Sequence, residues 1–104
     1  MNTLKLSKPI KIDGNDVNEL VYNFDDMTAR DKLNASKNMK NDANMVTVEE
    51  TDPDYHFYLF AEAAKKANPA IDISDVLRIS AKDAQRAASL ARSFFYLDSE
   101  DLSE

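Results

Sequence analysis

The chain has 104 residues, 43% of them apolar and 31% charged, with a net charge of −6 and no cysteine. Those values suit one globular unit and exclude wholesale disorder, a disulfide framework, a thiolate metal site and a cysteine nucleophile. The longest basic run is Lys65-Lys66, too little clustered charge for direct nucleic-acid binding, and no stretch approaches the roughly 18 apolar residues of a membrane span.

The first segment alternates, with Leu4, Leu6, Ile10 and Ile12 on even positions and Lys5, Ser7 and Lys11 between them. A period of two puts the apolar set on one face of a strand. Pro9 removes a ladder donor, so the strand is expected at an edge or interrupted near Lys8-Pro9. Asp13-Gly14-Asn15-Asp16 holds the only glycine and reads as a turn. A second alternating run, Leu20, Tyr22 and Phe24, completes a hairpin whose apolar face must pack on helices. A calcium loop at 13–19 is rejected, because Val17 and Asn18 stand where a ligand and a glycine are needed.

Thr28-Ala29-Arg30-Asp31 reads as a helix start, the hydroxyl accepting from the amide three residues on. The helix is weak: Asn34, Asn38, Asn41 and Asn44 crowd it, and after Leu33 only Met39 is large and apolar. It is expected to fray near Lys40, giving way to a polar connection over 41–51 with Met45–Val48 briefly extended. Asp52-Pro53 opens a stronger helix, since proline at the first position forfeits an amide that would be unpaired anyway. Tyr55, Phe57, Tyr58, Leu59 and Phe60 lie too close together for one stripe, so this helix is deeply buried or has a second apolar face. Asn68-Pro69 ends it. Ser74 is expected to cap a single turn through Val76 and Leu77. Ser80-Ala81-Lys82-Asp83 opens the last helix, where Ala84, Ala88, Ala91 and Phe95 recur at helical spacing. The predicted fold is α+β: an N-terminal β-hairpin, then about three helices and a short helical turn. Residues 1–97 are read as one domain and 98–104 as a frayed acidic tail.

Catalytic chemistry finds little support. His56 is the only histidine; Asp52 could reach it but is better used as a cap, and a surface or packing role is expected. Asp25-Asp26 and Glu49-Glu50 are adjacent pairs, whose side chains point apart. No phosphate loop, dinucleotide fingerprint, zinc-protease or serine-hydrolase motif occurs. A non-enzyme without cofactor or metal is expected. The surplus of apolar residues suggests a binding strip, with Phe57, Tyr58, Phe60, Phe94, Phe95 and Tyr96 as candidate partner-binding residues.

The chain resembles the small tail assembly chaperones of long-tailed phages of the Mu type and related prophages. The resemblance rests on Leu4 through Gly14, on Glu19-Leu20, and on the passage Phe24-Asp25-Asp26-Met27-Thr28-Ala29-Arg30-Asp31. It continues in Ile73-Ser74-Asp75-Val76-Leu77 and in Ser80-Ala81-Lys82-Asp83 with the helix ending at Phe94-Phe95; the stretch from Asn34 to Thr51 departs from it. It implies a protein that binds the tape measure protein, keeps it soluble, recruits major tail (tube) subunits and self-associates. It further implies action in the host cytoplasm and absence from the mature virion. Two other classes compete: an acidic phage inhibitor that mimics DNA or blocks a host enzyme, and a small structural tail subunit.

Overall fold

The computed structural model describes residues 2–41 and 48–97. Of the stretch Met45–Val48 expected to be extended, residues 45–47 fall outside them, as does the tail at 98–104, and Val48 is not in a strand. The predicted α+β architecture is present: an antiparallel hairpin of β1 (Asn2–Ile12) and β2 (Asn15–Tyr22), then α1 (Ala29–Asn41), α2 (Pro53–Ala67), α3 (Ile73–Val76) and α4 (Ala81–Tyr96).

Asp13 and Gly14 form a two-residue hairpin loop, and both have positive φ, 53° and 83°. That conformation matches the right-handed twist of the flanking strands, and Asp-Gly is among the sequences that adopt it at least cost. Past Ile10 opposite Val17 the register shifts. Leu6, Ser7, Lys8 and Pro9 together face only Asn18 before Lys5 meets Glu19. The interruption expected at Lys8-Pro9 is therefore there, and it frees the Ser7 amide from the ladder.

The apolar face is as the alternation predicts. Leu4, Ile10, Leu20, Tyr22 and Phe24 are buried, with Leu6 and Ile12 packed partly against them. Phe24 lies beyond the end of β2. It is held by a backbone bond from Asn23 N to Ala63 O at 3.1 Å and by reciprocal bonds between the Asn23 and Asp26 side chains and backbone.

The helix boundaries follow their caps. Thr28 Oγ1 accepts from Asp31 N while Asp31 Oδ2 accepts from Thr28 N, a complete capping box. The predicted weakness of α1 shows in its burial: Ala35 and Met39 reach the core, whereas Leu33 is exposed. Asp52 caps α2 by accepting from Asp54 N and Tyr55 N, and Asn68 ends it. This helix is the deeply buried one, and it contacts β2, α1, α3 and α4. Leu20 and Phe60 have no exposed surface; burying each contributes about 1.5–3 kcal/mol.

One cap differs from expectation. Asp72, not Ser74, caps α3: its carboxylate accepts from Ser74 N, and Asp75 reaches back to the Asp72 amide. Ser74 stands one position inside the helix and donates its hydroxyl to Asp72 at 2.6 Å. A carboxylate two residues earlier simply outcompetes the serine for the same end of the helix. At α4, Ser80 Oγ accepts from Asp83 N as expected. Asp83 does not close the box; its carboxylate turns to β1 and accepts from Ser7 N at 2.8 Å and Ser7 Oγ at 3.1 Å.

That carboxylate has no exposed side-chain surface, and Arg86 Nη1 binds its second oxygen at 2.8 Å. Burial raises its pKa, but the hydrogen bonds from Ser80 and Ser7 outweigh burial and hold it below the usual aspartate range. Arg86 also donates to Lys5 O, and Arg78 to Lys11 O. The two arginines and Ser7–Asp83 thus occupy the free edge of β1, which would otherwise offer unpaired backbone groups to another strand.

Candidate partner-binding surface

The C-terminal turn of α4 carries Phe94, Phe95, Tyr96 and Leu97. Consecutive helical positions are about 100° apart, so the three rings separate. Phe94 stacks on Phe24 at 5.2 Å, and Phe95 meets Phe24 edge-on at 5.4 Å. Phe24 in turn touches Tyr22 at 5.0 Å and Phe60 at 6.4 Å. A continuous aromatic array thus runs from the wholly buried Phe60 to Phe94 and Phe95, each 37% exposed. Leu97 beside them is 48% exposed. Rings fixed by stacking lose little further conformational freedom when a partner covers them.

Tyr96 leaves this array and packs against His56 at 5.3 Å. His56 is buried and donates Nε2–H to Glu49 O at 2.7 Å, a packing histidine joined to the turn before α2. Asp52 is engaged at the helix cap, as the sequence indicates.

The other candidate residues lie elsewhere. Phe57 and Tyr58 line a groove of about 770 Å³ between α2 and α4, with Leu77, Ile79, Ala88 and Arg92. Phe60 has no accessible surface and Tyr58 almost none, so both are core side chains of this chain rather than contact residues. The reason is the central position of α2, which has neighbours on several sides. Phe94 and Phe95 form the exposed part of the predicted set.

Sequence reasoning missed two features beside it. A groove of about 840 Å³ between β1 and α4 is lined by Lys5, Lys82 and Arg86 among Leu4, Tyr22 and Leu90. Lys82 and Arg86 are one turn apart on α4, and the fold brings Lys5 of β1 to them. The second is a cavity of about 170 Å³ at the start of α1, lined by Met27, Thr28, Ala29, Lys32, Tyr55, Leu59, Phe95 and Tyr96. Lys32 pairs with Glu49 at 3.0 Å and lies over the Tyr55 ring, 5.8 Å from its centre. The Glu49 contact raises the Lys32 pKa; burial, with the Glu49 charge, raises that of Tyr55, and burial raises that of Tyr96. Both phenols therefore stay protonated at neutral pH. The Tyr55 hydroxyl is buried and lies in hydrogen-bonding interaction with the Lys32 ammonium.

Among the described residues no group of three His, Asp or Glu could hold a metal ion, and no helix is long and apolar enough to cross a membrane. Compared with known proteins, the chain matches no family model, no curated protein and no solved structure.

Proposed function

We propose that the chain is a non-catalytic tail assembly chaperone that binds the tape measure protein through the aromatic end of α4 and helps recruit tail-tube subunits around it. The observation that supports this reading is the stacked Phe24–Phe94–Phe95 array ending in exposed Phe94, Phe95 and Leu97. Amphipathic helices bind through an apolar stripe laid on such a surface, and a tape measure protein is long and helical. The groove next to it carries Lys5 and Lys82, which suit acidic residues flanking that stripe, while Arg86 there is held by Asp83 and Lys5 O. The net charge of −6 would keep a complex with an apolar client soluble. On this reading the protein acts in the host cytoplasm and leaves before the tail is complete.

Co-expression with the tape measure protein encoded beside it tests the proposal. The expected result is a tape measure that moves into the soluble fraction and co-purifies with this chain. A tape measure equally insoluble with and without the chain contradicts it.

A further inference from the structure

We propose that the groove between β1 and α4 is the docking site of the chain's own acidic end, residues 98–104, which there competes with the client for the surface beside Phe94 and Leu97. The docking rests on charge and reach; the competition rests on the assembly reading as well.

Two hollows make up one continuous groove. The larger, of about 840 Å³, and a smaller one of about 440 Å³ share Tyr22, Leu90 and Ser93. Together they run along α4 from Phe94 and Leu97 at one end to Lys5 and Lys82 at the other. The chain holds 19 acidic residues, yet no carboxylate lines either hollow. Lys5 and Lys82 are exposed, and neither is in an ion pair among the described residues, although Lys5 stands opposite Glu19 in the hairpin. Arg86 is committed to Asp83 and Lys5 O. The uncompensated charge of the groove is therefore that of two lysines at its far end.

A matching occupant begins at the near end. Residues 98–104 carry Asp98, Glu100, Asp101 and Glu104, no basic residue, and one large apolar residue, Leu102. They follow directly on Leu97, which itself lines the smaller hollow. At 1.5 Å per helical residue, Lys82 lies about 22 Å back along α4 from Leu97. Seven residues span at most about 25 Å, so Glu104 reaches the lysines. Leu102 reaches Leu90 with chain to spare, and covering that half-buried side chain removes apolar surface from water. Tethering beside the groove gives the tail an effective concentration of the order of millimolar. A free acidic segment displaces it only by adding contacts elsewhere, as a client helix does on Phe94 and Leu97. Exposed ion pairs are weak and screened by salt, which suits a contact made to be displaced.

A spin label tests the docking, because the chain has no cysteine and Ser103→Cys offers a single attachment point. In the labelled 104-residue chain at low salt, amide NMR signals of Leu4, Lys5, Lys82, Gln85 and Ser89 should lose intensity relative to the reduced label. Those of Gly14 and Ala35 should not. The loss should vanish in Lys5→Gln/Lys82→Gln, and in about 1 M salt, where the screening length is about 3 Å. Losses confined to residues next to Leu97, spread over the whole molecule, or unchanged in the double variant overturn the docking. So does an equal loss in a mixture where the spin label and the isotope are on different chains, which would put the tail in the groove of a second copy. For the competition, Asp98→Asn/Glu100→Gln/Asp101→Asn/Glu104→Gln should bring several-fold more tape measure into the soluble fraction than wild type when the chaperone is limiting. Equal, non-zero amounts overturn the competition. If the label reports docking and the tape measure stays insoluble with both proteins, the assembly reading falls and the docking stands.

Discussion

Ser7 and Asp83 are 76 positions apart, and the bond between them fastens the hairpin to α4. Asp83→Ala removes the acceptor for Ser7, Ser80 and Arg86 and leaves the Ser7 amide without its partner. Hydrogen bonds to a charged group contribute about 1.5–3 kcal/mol each, and losing this shared acceptor should cost about 3 kcal/mol, read as a lower urea midpoint with unchanged slope. The folded-state pKa of Asp83 is depressed. Its contribution is therefore full above the unfolded value near 3.9 and disappears as pH falls through the folded value. The deficit of Asp83→Ala should shrink in acid accordingly. Glu62 has the opposite sign. It is buried on α2 with Asn38 Nδ2 donating to it at 2.8 Å, and burial raises its pKa. Its ionisation opposes folding above the unfolded value near 4.3. Glu62→Gln keeps an acceptor for Asn38 without the charge, and should stabilise the protein at pH 7 with a gain that vanishes below about pH 4. A Glu62→Gln variant less stable than wild type at pH 7 would contradict this account of the α1–α2 contact.

At the scale of elements, Gly14→Ala isolates the turn. No atom lies within 4 Å of the position a Cβ would take, so the cost is backbone strain at φ 83°, about 1 kcal/mol. In a domain of this size that lowers the melting temperature by roughly 4–8 °C. The hairpin, α2 and α4 were legible in the sequence because their signals are local: alternation around Asp13-Gly14, proline after Asp52, and a hydroxyl before the alanine-rich run. The cap of α3 was misread because Asp72 and Ser74 both qualify locally, and the hydrogen bonds choose between them. The Asp83 carboxylate could not be placed from its own helix, where a capping box looks complete; its real partner lies on β1. The same holds for the binding surface. Exposed Phe94 and Phe95 follow from three consecutive aromatics that cannot share a face. The burial of Phe60 depends on which neighbours surround α2.

Taken as a whole, the molecule concentrates order around α2 and presents its exposed rings at one end of α4. The acidic groups are partly committed to structure: Asp31, Asp75 and Asp83 pair with Lys66, Arg78 and Arg86, and Asp52 and Asp72 cap helices. Such commitments favour a folded platform for an apolar client over an acidic face that imitates DNA. The most direct test compares tape measure solubility on co-expression with wild type and with Phe94→Ser/Leu97→Ser. Both side chains are substantially exposed and neither lines the Tyr55 cavity, so the double variant should fold. The account predicts a soluble, co-purifying tape measure with wild type and an insoluble one with the folded double variant. Equal solubility with both proteins would contradict the claim that the aromatic end of α4 is the binding surface.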